Sequence, residues 1–134
     1  MKAAVVAAIA TVAALAAGQT SAHHSFAMFE LERNVTIQGE VKEVQWANPH
    51  VWIQLMVPNA QGQPIEWAIE LGTTGMLQRT GWTRNTLKPG DKVTAIIHPL
   101  RNGRPSGSLV TIDVPDGRTL GPGGVPPRPT RPAG

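Results

Sequence analysis

The chain has 134 residues, no cysteine and a formal net charge of +3. That length suits one small domain, and the lack of cysteine excludes disulfides, zinc–thiolate sites and cysteine nucleophiles. So small an excess of positive charge, partly carried near the C-terminus by Arg118, Arg128 and Arg131, makes no basic surface of the kind that binds nucleic acid.

The first residues, MKAAVVAAIATVAALAAG, place Lys2 before an alanine-rich apolar run from Ala3 to Ala17. Small and polar residues follow, ending in Ala22. This is the layout of a secretory signal peptide over residues 1–22, and cleavage one to four residues earlier would fit the same pattern. The run is shorter than the roughly 20 residues a spanning helix needs. The expectation is therefore a periplasmic or secreted protein that begins at His23, with no membrane span once the signal is removed.

Residues 23–34 read as an N-terminal arm, with Phe26, Met28, Phe29 and Leu31 as apolar residues that must bury somewhere. Strands follow over residues 35–120. "VTIQGEVKEVQW" alternates, with Val35, Ile37 and Val41 on one face. Its phase changes near Glu43, so that Val44 and Trp46 become the apolar pair. A phase change inside a long strand predicts a bulge, and Gly39 would permit strong coiling. Asn48-Pro49 marks a turn. "HVWIQLMV" puts Val51, Ile53, Leu55 and Val57 inward, and "IEWAIEL" does the same for Ile65, Trp67, Ile69 and Leu71.

The period then lengthens. "GTTGMLQRTGW" predicts a short helix over about residues 74–80, with Thr73 or Thr74 as N-cap and Gly81 closing it. Pro89-Gly90 turns into a strand over Lys92–His98. "SLVTIDV" is the fifth strand, with Val110, Ile112 and Val114 as its core set. From Gly121 to Gly134 the chain is nearly all Pro, Gly and Arg, and predicts an extended, disordered tail. Three strands, a short helix and two strands is the order of an OB-fold, a small five-stranded barrel. A small β-sandwich is the other architecture, and the single helix counts against it.

Cleavage before His23 would leave an α-amine and an imidazole on one residue. The amine and Nδ1 can close a chelate on a transition metal. A further imidazole would complete a three-nitrogen site of the tetragonal kind that suits Cu(II). This resembles the histidine brace of some exported copper proteins, in the chemistry of one residue and not in fold. His24 diverges from His23 in an extended chain and serves only if the backbone turns. His50 and His98 are the better third ligands. His50 begins strand two and His98 ends strand four, so they are expected at opposite ends of strand one and should not share one metal. An arm crossing the Trp52–Met56 face would carry His23 to His50. An arm staying near the start of strand one would favour His98. The plainer reading is that these histidines are solvated or satisfy local turns.

Other chemistry is sparse. Glu66 and Glu70 share an outward strand face, where carboxylates are ordinarily solvated. Ser25 beside His24 has no orienting acid or oxyanion hole, and no nucleophile–base–acid set appears, so an independent enzyme is the least favoured reading. Trp46, Trp52 and Met56 could form an aromatic wall for a small molecule or a periplasmic protein partner. Cross-strand packing is the more ordinary use of such pairs.

The set "AHHSF", "WANPHVWI", "WAIELG", "RTGWTRNTLKPGD" and "HPLRNG" resembles a family of small exported bacterial proteins, domain of unknown function 6152. The resemblance runs from His23 to about Leu120. It implies a periplasmic β-barrel with histidines at 23, 24, 50 and 98, and no established activity. Two functions follow as expectations: a Cu(II)-binding protein using His23, or a metal-free binding module using Trp46, Trp52 and Met56.

Overall fold

In the computed structural model, residues 27–123 are described. The signal, His23, His24, Phe26 and the tail from residue 124 lie outside them. The elements are β1 (Val35–Gln45), β2 (Trp52–Pro58), β3 (Pro64–Glu70), α1 (Thr74–Arg79), β4 (Lys92–Pro99), β5 (Ser106–Asp113) and a short β6 (Thr119–Leu120). The two-residue β6, which pairs with the end of β5, was not expected from the sequence.

The strand order is β3-β2-β1-β4-β5-β6, and a parallel pairing of β3 with β5 closes the first five strands into a barrel. This is the OB-like topology expected, with one short helix between β3 and β4. Closure removes the two sheet edges that would otherwise stand unpaired.

β1 is the hinge of the barrel. Its first half pairs with β4, Val35 opposite Ile97 through Glu40 opposite Lys92. Its second half pairs with β2, Glu40 opposite Met56 through Gln45 opposite Trp52. The strand must pass close under β2 to serve both. A Cβ at Gly39 would stand 2.5 Å from the Met56 carbonyl oxygen, so glycine is what allows the approach. The expected bulge is present, between Val41 and Glu43.

A second bulge lies in β5, where Leu109 and Thr111 face the adjacent Ile97 and Ile96 of β4 and Val110 is the extra residue, and it shifts the phase of β5. Leu109, Ile112 and Val114 are buried while Val110 is only half-buried. The expected set therefore holds for Ile112 and Val114 and fails for Val110, because Val110 is itself the extra residue and the strand changes face across it. β3 departs too: Ile69 is fully buried, Trp67 is half-buried against the core, and Ile65 is 37% exposed. The start of β3 lies beyond its pairing with β5, which covers only Ala68–Glu70.

The core fills the barrel with Val41, Ile53, Leu55, Ile69, Ala95, Ile97 and Ile112. α1 closes one end. Thr73 is its N-cap, its side chain accepting from the Met76 N–H at 3.2 Å. The helix stops before Gly81, whose φ is 96°. Leu77, Trp82 and Leu87 enter the core beneath it. The Trp82 indole N–H donates to the Gly121 carbonyl at 2.9 Å, and the Gly72 N–H donates to Pro122 at 2.7 Å. Gly121 and Pro122, expected in the loose tail, are thus fastened to the barrel, because a buried indole needs an acceptor. Among the described residues no helix is long and apolar enough to cross a membrane.

Candidate functional site

From Ala27 onward the arm runs beside the end of β4 and not across the Trp52–Met56 face. Phe29 forms an isolated antiparallel bridge with Leu100 and is buried there. The Glu30 N–H donates to Pro99, and Arg101 donates through its backbone N–H to Met28 and through Nε to Ala27. The arm thus extends the β1 side of β4 past the strand's end. Met28 and Leu31 remain 53% and 46% exposed. Phe26 lies outside the described residues, and of Met28, Phe29 and Leu31 the expectation of burial holds for Phe29 alone. The backbone of 99–101 offers a ladder to pair with, and a strand turns only alternate residues inward.

His98 lies directly beside this arm. Its Nδ1 is 3.0 Å from the Arg33 carbonyl oxygen. A carbonyl only accepts, so Nδ1 carries the proton, and in the neutral ring Nε2 keeps a free lone pair. His50 is held in the same way, with Nδ1 2.9 Å from the Leu71 carbonyl oxygen. A metal-binding imidazole is commonly oriented by such a bond from its other nitrogen. The bond of His50 reaches across to Leu71, just past the end of β3, and does not stay within its own turn. Asn48, on the far side of the cis Asn48–Pro49 peptide, has its own tie. Its Oδ1 accepts from the Thr74 N–H and hydroxyl at 3.0 and 3.1 Å. The Asn-Pro-His loop is therefore pinned at two points to the β3–α1 junction.

Glu70, expected with Glu66 to be a solvated carboxylate, is instead sequestered. Its Oε1 is 3.3 Å from His50 Nδ1, and its side chain is only 15% exposed. Burial holds its carboxyl above the usual carboxylate range, and His50 partly offsets this. Glu66, two residues earlier, behaves as expected of an outer carboxylate: it is exposed and paired with Lys42 at 2.7 Å. The two differ because Glu70 lies where β3 is flanked by both β2 and β5, whereas Glu66 lies where only β2 accompanies it.

Closure also revises the geometry of the two histidines. Along β1 they stand at opposite ends, as expected, since Gln45 faces Trp52 and Val35 faces Ile97. Around the other side they are connected. Trp52 is opposite Glu70, Glu70 opposite Ser108, and Ser108 opposite His98. These four side chains are all half-buried on the outer face. His50 and His98 are still separated by three strand spacings, roughly 14 Å at about 4.8 Å each, so one ion held by bonds of about 2 Å does not bridge them. Among the described residues no three His, Cys, Asp or Glu side chains are grouped to hold a metal ion.

The expected aromatic wall is divided. Trp46 packs against the core. Trp52 and Met56 share the outer face of β2, four residues or about 13 Å apart. Met56 borders an open groove of about 730 Å³ between Glu40, Lys92, Thr94 and Asp113, which no histidine lines.

Residues 10–109 match the model of a family described as a family of unknown function (DUF6152). The chain belongs to that family. No curated protein and no solved structure matches it. Membership agrees with the resemblance carried by the HHSF, NPH and LKPGD segments and assigns no reaction.

Proposed function

We propose that this DUF6152 protein is exported and binds Cu(II) through the amine and ring of a mature N-terminal His23, with His98 as the third nitrogen ligand. The observation that carries this choice is the course of the arm. Its hydrogen bonds to the barrel go to His98 itself, through the Arg33 carbonyl, and to Pro99 and Arg101 immediately beyond it. His23 is four residues before Ala27 and reaches at most about 13–14 Å from it. Arg101, level with Ala27, is three strand residues from His98, about 10 Å. His98 lies within that radius. The alignment of its Nδ1 on Arg33 leaves Nε2 as the donor a metal would take. His50 stands three strands further round the barrel and becomes the less suited ligand.

Mass spectrometry of the exported protein tests the premise, which requires His23 as the first residue with a free amine. Copper titration of that material should show one tight site with a nitrogen-rich tetragonal electron paramagnetic resonance spectrum. One alanine inserted before His23 should weaken binding at least a hundredfold. A different N-terminus, or unchanged affinity after the insertion, would sink the proposal.

A further inference from the structure

The outer-face row around the closed barrel leaves Trp52, Glu70 and Ser108 without a role in the copper reading. Glu70 sits between the other two, opposite Trp52 on one side and Ser108 on the other. Adjacent strands are about 4.8 Å apart, so the three side chains share a patch about 10 Å wide. At its centre is a carboxylate drawn out of water, its side chain 15% exposed. The polar contact described for it is His50 Nδ1 at 3.3 Å, and that N–H is already engaged by the nearer Leu71 carbonyl at 2.9 Å. Lys42 is committed to Glu66. Among the described residues Glu70 therefore has no Lys or Arg partner, in a place where burial makes an uncompensated charge costly.

We propose that Trp52, Glu70 and Ser108 form a binding site for the primary ammonium group of a small organic amine. The carboxylate supplies the counter-charge. The Ser108 hydroxyl supplies a second acceptor for an N–H. The indole supplies a π face that attracts a cation and covers the adjoining alkyl chain. An anion is disfavoured by Glu70 itself. A metal ion lacks a third ligand, since no such group exists among the described residues. Burial raises the proton affinity of Glu70, and a bound ammonium would oppose that shift. The site uses neither the mature N-terminus nor a proposed copper ligand, although Ser108 stands opposite His98.

The test uses the exported, ¹⁵N-labelled protein in EDTA, so that no metal contributes. The four tryptophan indole N–H signals are followed by NMR as n-butylammonium is added, with 1-butanol as the uncharged isostere and tetramethylammonium as a cation without N–H donors. Trp52→Phe identifies the Trp52 signal. The Trp52 signal should move saturably with n-butylammonium and stay still with 1-butanol. Glu70→Gln should weaken binding at least tenfold, and Ser108→Ala by about three- to tenfold, the range of one net hydrogen bond. The proposal is overturned by a shift that does not saturate, by an equal response to 1-butanol, or by unchanged affinity in Glu70→Gln. Equal affinity for tetramethylammonium overturns the primary-amine assignment.

Discussion

Phe29 stands opposite Leu100 in an isolated antiparallel bridge and is buried against the end of β4. That contact fixes the arm next to His98 and away from β2. Phe29→Ala should cost about 3 kcal/mol, as for other buried aromatic truncations, measured by urea unfolding of the mature protein. Copper affinity should fall with it, because the arm loses its anchor.

The histidines separate by position. His98→Ala should weaken copper binding at least tenfold, and His50→Ala should change it less than twofold, by competition titration against a chelator of known affinity. The reverse order would place the arm of the copper-bound protein on β2 and contradict the ligand assignment.

Asn48→Ala removes the acceptor of two hydrogen bonds from Thr74. The expected loss is about 1 kcal/mol. Hydrogen exchange should accelerate first at the backbone amide of Thr74, and unchanged protection there would show that the tie contributes nothing.

Gly107 packs where no side chain fits. A Cβ there would lie 2.6 Å from Ile97 Cδ1 and 2.7 Å from the His98 carbonyl oxygen. Gly107→Ala should destabilise the protein by about 2 kcal/mol through overpacking, seen as a lower urea midpoint with an unchanged slope. A wild-type midpoint would mean that β4 and β5 separate more easily than their register implies.

Glu70 predicts a pH dependence. Its folded carboxyl is raised above the ordinary value of 4.5, by burial first, with His50 opposing. The protonated form is the one the fold prefers. Its stabilising share is full below the unfolded value and is lost as pH rises through the raised one. Glu70→Gln, which cannot ionise, should therefore gain stability relative to wild type as pH rises from 4 to 7. Parallel melting temperatures across that range would exclude the effect.

The sequence by itself determined the element order. Alternation of period two located the strands, the lengthened period and Thr73 marked α1, and the phase slip near Glu43 announced the bulge. These signals are local, because a side chain's face is set by its immediate backbone. It also named His50 and His98 as imidazoles on outward strand ends. Three things were decided only by the tertiary structure: the arm's course along β4, the β5 bulge at Val110, and the row joining Trp52, Glu70, Ser108 and His98. Each depends on register between strands distant in the chain, and above all on the β3–β5 closure. Alternation fixes which way a residue points and carries no information about its neighbour across the ladder. Glu66 and Glu70 read alike for that reason, and only closure separates the solvated carboxylate from the sequestered one.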